Sequence, residues 1–229
     1  RIIAALLTAF GVPFAFANPT GGVVTNGQAT FSSQGKTLTI TNSPGAIINW
    51  QGFSIAKDEL TKFVQQSAAS AVLNRVVGQD PSQILGALQS NGRVFIINPN
   101  GIVFGAGSQI NVGGLVASTL NITDKDFLAG KLNFAGANAG AIQNQGTIAT
   151  PSGGQIYLIA PNIENSGILT SPNGEIILAA GKSVELVDSI NPALRVQITA
   201  GGQALNVGQI VAQGGGIGIF AGLVQQAGT

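Results

Sequence analysis

The sequence predicts an all-β protein, a right-handed parallel β-helix of about 20–21 residues per coil with an N-terminal β cap and extra-helical strands. Three observations carry this. The stretch Gly92–Ile102 reads as a short strand, Val94–Ile97, running into an Asn98-Pro99-Asn100-Gly101 turn. Its Gly-x-β pattern returns 62 residues later at Gly154-Gln-Ile-Tyr-Leu-Ile-Ala and 20 residues after that at Gly174-Glu-Ile-Ile-Leu-Ala-Ala. Thirty-three glycines among 229 residues, with abundant Asn, Gln, Ser and Thr, fit many tight turns joining short strands.

The repeat is sharpest toward the end of the chain. Asn144 and Asn165, Gly146 and Gly167, and Ile148 and Leu169 are each 21 apart. Ile156 and Leu158 return 20 later as Ile176 and Leu178. Gly208, Ile210, Ile217 and Ile219 match Gly167, Leu169, Ile176 and Leu178 at an offset of 41, read as two coils. Branched aliphatics at alternate positions point inward, and Asn144 and Asn165 are placed to stack as an amide ladder.

Before Gly92 the pattern is looser. Asn18–Phe53 alternates short β runs with turns at Asn26-Gly27, Ser33–Gly35 and Ser43–Gly45, which reads as the cap. Lys57–Gln66, with Leu60, Phe63 and Val64 as a stripe, reads as helix or an excursion from the coil. Ser70–Val76 reads as strand. Asp80-Pro81-Ser82 reads as a helix start, with Asp80 as N-cap, Pro81 at the first position and Ile84, Leu85 and Leu88 on one face. The solenoid proper is expected from Gly92 onward.

The first residues differ from the rest. Ile2–Ala9 is a short apolar run, Gly11-Val-Pro13 breaks it, and Ala15-Phe16-Ala17 fits a cleavage site. Residues 1–17 are therefore expected to be the C-terminal part of a secretory signal peptide, and residues 18–229 the mature domain. Gln225–Thr229 falls where Ile163–Ile168 falls in its own coil, so an N-terminal fragment of a longer protein is expected.

Composition removes several function classes. Ten Lys plus Arg against nine Asp plus Glu gives a net charge of +1, with no clustered basic face of the kind nucleic acid needs. Cysteine and histidine are absent, which excludes disulfides, thiol chemistry and imidazole catalysis. Carbohydrate-active β-helix enzymes need convergent carboxylates. Here Glu164 and Glu185 are expected to stack on one solvated outer face, and Asp124-Lys125-Asp126 to sit in a loop. Gly105-Ala-Gly107 and Gly214-Gly-Gly216 lack the strand-to-helix context of a phosphate loop and read as coil corners. No catalytic residue, metal ligand or cofactor is expected.

Four ordered blocks carry a resemblance: Asn49-Trp-Gln-Gly-Phe-Ser-Ile55, Ser70-Ala-Val-Leu-Asn-Arg-Val76, Gln83-Ile-Leu-Gly-Ala-Leu88 and Asn91–Ile102. Together with Gly113–Leu120 they resemble the secretion domain of two-partner secretion exoproteins, the filamentous-haemagglutinin-like proteins of Gram-negative bacteria. The resemblance implies a non-enzymatic module that follows a signal peptide and is exported by the Sec machinery. It also implies recognition by the periplasmic POTRA domains of a dedicated outer-membrane β-barrel transporter and folding coil by coil outside the cell. The residues carried over are Asn98, Pro99, Asn100, Gly101 and Ile102, with Asn74 and Arg75. The upstream Asn-Pro-Asn-Leu motif of some members is missing, so the chain is more similar to the adhesin-type branch, whose exoproteins engage host cell surfaces. Rival readings are a carbohydrate-active β-helix enzyme and an autotransporter passenger. For Asn98–Ile102, a turn that stabilises the fold and a direct contact with the transporter are both open.

Overall fold

A computed structural model of the chain describes residues 18–137, 139–187 and 195–229. The expected signal peptide, residues 1–17, lies outside the described residues, as does Asp188.

Two cap strands come first, β1 (Val23–Asn26) and β2 (Ala29–Gln34). The first coil holds β3 (Thr37–Asn42) and β4 (Ala46–Trp50), closed by a bridge from Ile55 to Ile84. The second holds β5 (Leu60–Val64), β6 (Ala71–Val76) and β7 (Ser82–Ile84). The third is β8 (Ala87–Ile97) and β9 (Ile102–Phe104). The fourth begins with β10 (Gln109–Ser118) and leaves the helix through β11 (Asn121–Ile122), α1 (Asp124–Leu128) and β12 (Leu132–Ala135). It returns at β13 (Ile142–Asn144). The fifth is β14 (Thr147–Ala149), β15 (Gln155–Ala160) and β16 (Asn162–Asn165). The sixth is β17 (Ile168–Thr170), β18 (Glu175–Val187), a second excursion through β19 (Arg195–Gly201), and β20 (Gln203–Asn206). The seventh is β21 (Gln209–Val211), β22 (Gly216–Phe220) and β23 (Leu223–Gln226).

Stacking these coils makes three parallel sheets. The first runs β3, β5, the start of β8 and of β10, β14, β17, β21. The second runs β4, β6, the ends of β8 and β10, β15, the start of β18, β22. The third runs β7, β9, β13, β16, β20, β23. Register aligns inward residues into columns, such as Leu88, Ile110, Ile148, Leu169 and Ile210 in the first sheet. β-branched and aliphatic side chains suit such half-buried pleats, and the columns form one continuous core.

The parallel β-helix is as expected, and several local readings are corrected. The coils begin at β3, well before Gly92, and the antiparallel cap is confined to β1 on β4 and β2 on β3. Lys57–Gln66 contains a strand: Thr61 and Phe63 point inward while Lys62 and Val64 point out, a period of two hidden beneath helix-favouring residues. The expected helix at Asp80 is also strand. Ile84 and Leu88 both reach the core, but from the third sheet of one coil and the first sheet of the next, so their spacing is that of a corner. Asp124–Asp126 is not a loop but opens α1, where Thr123 Oγ1 accepts from Asp126 N at 3.0 Å.

The offset of 41 is one coil rather than two. Leu169 pairs directly with Ile210 and Ile176 with Ile217, because the β18–β19 hairpin inserts nearly a coil's length outside the helix. The same holds for Gly92 and Gly154, which lie two coils apart with the β11–α1–β12 excursion between them. Both excursions join one antiparallel sheet, β11–β12–β18–β19, that lies over the outer side of the second sheet.

Candidate functional site

The turn after β8 stands at the corner between the second and third sheets of the third coil. Asn98 O accepts from Gly101 N at 3.1 Å, which closes a β-turn with Pro99 at its second position. Asn98 Oδ1 accepts from Asn100 N at 3.0 Å, so the side chain repeats the turn inside the backbone one. Gly101 takes φ +122, a region that other residues avoid.

Both neighbouring coils hold this turn. On the preceding coil, Asn98 Nδ2 donates to Asp80 O at 3.0 Å and to Ser82 Oγ at 2.9 Å. Asn100 Nδ2 donates to Gly78 O at 2.9 Å, and Ser82 N to Gly101 O at 3.0 Å. On the following coil, Asn98 N donates to Ser118 O at 3.0 Å and Ile102 N to Ala141 O at 3.1 Å. Gly140 N donates to Pro99 O at 2.7 Å, and a Cβ on Gly140 would stand 2.7 Å from Asn100 O. Asn98, Gly101 and Ile102 are buried, whereas Pro99 and Asn100 are exposed. The motif thus divides into a buried frame and a two-residue surface.

Asn74 and Arg75 occupy the second coil beside it. Asn74 is fully buried in an otherwise aliphatic column, between Ile48 and Ile96. It accepts from Trp50 Nε1 at 3.0 Å and donates to Phe95 O at 3.1 Å, joining the first, second and third coils through one amide. Arg75 pairs in register with Ile97 and points outward. Its guanidinium donates to Asn121 Oδ1 at 3.2 Å and Ile122 O at 2.8 Å and pairs with Asp124 at 2.7 Å. The seven residues are therefore neighbours without forming a common pocket. The role of Asn74 toward Trp50 was not visible in the sequence, since nothing in the local text shows which residue stacks above it.

The expected amide ladder is present and longer than predicted. Asn144 donates to Asn165 and Asn165 to Asn206, each at 2.7 Å, and Asn206 donates to Gln226 at 3.1 Å. Thr150 Oγ1 donates to Ser171 Oγ at 2.8 Å at another corner.

The carboxylates do not converge. Glu164 lies on β16 of the third sheet, and Glu185 lies on the extra-helical part of β18 opposite Asn133 and Gln197. The expected stacking of Glu164 and Glu185 is thus corrected: the hairpin insertion takes Glu185 off the helix. Glu175 accepts a hydrogen bond from the buried Tyr157 hydroxyl at 2.5 Å. Among the described residues no group of three or more acidic, His or Cys side chains is placed to hold a metal ion. No helix among them is long and apolar enough to cross a membrane.

Comparison with known proteins agrees with this architecture. The TPS secretion domain family matches residues 15–226. The crystal structure of the HMW1 secretion domain from Haemophilus influenzae superposes with a TM-score of 0.86 at 37% identity, over 91% of this chain and 57% of that one. A heme/hemopexin-binding protein of Haemophilus influenzae strain Rd is 39% identical over 120 residues, 51% of this chain. A second heme/hemopexin-binding protein of Haemophilus influenzae is 41% identical over 80 residues, 35% of this chain. The matched stretches span only 13% and 9% of those relatives' lengths. A β-helix stitched at the Asn98 turn, without a catalytic cluster among its described residues and matched by the family over nearly its whole length, belongs to the TPS secretion domain family.

Proposed function

We propose that this domain directs a large exoprotein to a dedicated outer-membrane β-barrel transporter of the TpsB/Omp85 type and starts β-helix folding outside the cell. In this reading residues 1–17 end a signal peptide for the Sec machinery and residues 18–229 form the secretion domain of an exoprotein, an adhesin in the resemblance-based reading. The transporter's periplasmic POTRA domains are the receiving partner. The observation that carries the reading is the family match over residues 15–226. The exposed Pro99 and Asn100, at a turn tied to both neighbouring coils, support a division of labour. Asn98, Gly101, Ile102, Asn74 and Arg75 act through the fold, and Pro99 and Asn100 touch the transporter.

The relatives' printed names concern heme. This chain has no His, Cys or Met, and its single Tyr is buried, so it is poorly supplied with axial ligands for a heme iron. No heme-binding role is proposed for this domain.

The test is secretion of residues 1–229 behind a complete signal peptide, with and without the cognate transporter, for the natural chain and Asn100→Ala. Release into the medium only with the transporter supports the reading, and loss in the variant with unchanged folding assigns the contact to Asn100. Periplasmic retention with the transporter present overturns it.

A further inference from the structure

The outer side of the second sheet is apolar. Register sets Leu73, Phe95, Val116, Tyr157 and Ile177 in one outward column, and all are buried. Their cover is the extra-helical sheet. Phe127 of α1 meets Phe95 edge to face with ring centroids 5.1 Å apart, and Phe134 of β12 completes the cluster.

The two halves of the first excursion are held differently. β12 pairs with β18 over Leu132–Ala135, and a ladder of backbone bonds fixes it there. β11 and α1 lie at the free edge, where β11 pairs with β12 alone among the described residues. The helix has five residues, too few to persist by itself, and Lys125, Leu128 and Lys131 are exposed. Gly130, with φ +69 and open space around it, separates this half from β12. On the coil side, among the described residues, the polar tie to β11 and α1 is Arg75, through Asn121 Oδ1, Ile122 O and Asp124.

We infer that Asn121–Leu128 is a strap that opens as one unit about Gly130, with Arg75 as its latch and Phe127 as the plug over Phe95. The planar guanidinium suits this task, since one fork serves a side-chain amide, a backbone carbonyl and a carboxylate at once. Opening breaks the short β11–β12 pairing at Asn121 and Ile122 and uncovers the Phe95 ring, but it breaks none of the ladders between coils. The latch needs only the folded domain, so failure of the secretion assay leaves it untouched.

Hydrogen exchange read by mass spectrometry tests this on the folded domain, with Trp50 emission confirming that the coils remain closed. In Arg75→Ala, exchange across Asn121–Leu128 rises about tenfold to a hundredfold, as expected for lost bonds to a charged group. Tryptic cleavage after Lys125 quickens in step, while exchange in β6, β8 and β10 keeps its natural rate. Arg75→Lys, which keeps the charge but not the fork, falls between. A rise shared by β6, β8 and β10, or no rise in the strap, overturns the proposal. Should Arg75→Ala fail to fold, Phe127→Ala removes the plug instead. The same localised rise is then expected, and a rise spread through the coils refutes the strap.

Discussion

Asn98 Nδ2 lies 2.9 Å from Ser82 Oγ with both residues fully buried, which bolts the turn after β8 to the first residue of β7 in the preceding coil. Asn98→Ala strips that bond and leaves Asp80 O and Asn100 N without their side-chain partner. At about 1–3 kcal/mol for each buried group left unpaired, a loss of about 3 kcal/mol is expected. Asn100→Ala removes a bond to Gly78 O from an exposed residue and is expected to cost about 1 kcal/mol or less. Urea midpoints of the two purified variants check this, and comparable losses in both would contradict a buried frame with a separable surface.

The amide ladder makes a second prediction. Asn165 accepts from Asn144 and donates to Asn206, so Asn165→Ala leaves a donor above and an acceptor below in a dry interior. The expected loss is about 2–4 kcal/mol. Because Asn144 and Asn165 are in direct contact, Asn144→Ala and Asn165→Ala together are expected to cost about 1–2 kcal/mol less than the sum of the single variants. Strict additivity in the double-mutant cycle would mean that the amides stack without cooperating.

How far the sequence revealed this fold depends on where each residue's partner lies. The repeat between Ile148 and Leu169 was legible because branched aliphatics return at most inward positions of the regular coils. Leu60–Val64 misled because its strand alternation includes Lys62 and Val64 outward, a mixture that also fits a loose helical stripe. The excursions misled differently, since each is close to a coil in length and so counterfeits a period. Among the site residues, the turn chemistry of Asn98 and Gly101 is local and could be read directly. Arg75 and Asn74 act on residues 46 and 24 positions away, and such partners become visible only once the coils are stacked.

Two glycines separate steric from conformational need. A Cβ on Gly202 would stand 1.6 Å from Pro161 O, at the point where the second excursion rejoins the helix. Gly202→Ala must displace backbone, and a loss above about 4 kcal/mol is expected, a large share of the about 5–15 kcal/mol by which folded chains are stable. Gly107 has φ +85 and nothing within 4 Å, so Gly107→Ala bears only the strain of the left-handed region, about 1–2 kcal/mol. Soluble yield and thermal unfolding of both variants decide the matter, and equal losses would count against the close approach at Pro161.

Trp50 is the single tryptophan of the chain, and its Nε1 donates to Asn74 at 3.0 Å inside the core. Asn74→Ala leaves that donor unpaired and takes from Phe95 O its side-chain partner, with an expected cost of about 2–4 kcal/mol. Asn74→Leu fills the space and matches the aliphatic column of Ile48 and Ile96, yet it still strands the indole N–H. Trp50→Phe removes the donor itself. Combining Trp50→Phe with Asn74→Leu therefore pairs an apolar ring with an apolar neighbour and is expected to recover more than half of the Asn74→Leu loss. The recovery is incomplete because Phe95 O still lacks its side-chain partner and the smaller ring leaves space behind. Guanidinium titrations followed by circular dichroism measure all four variants on one scale. A double variant as unstable as the sum of its parts would show that Asn74 contributes through shape alone, and that the Trp50–Asn74 hydrogen bond between the first and second coils adds nothing to their register.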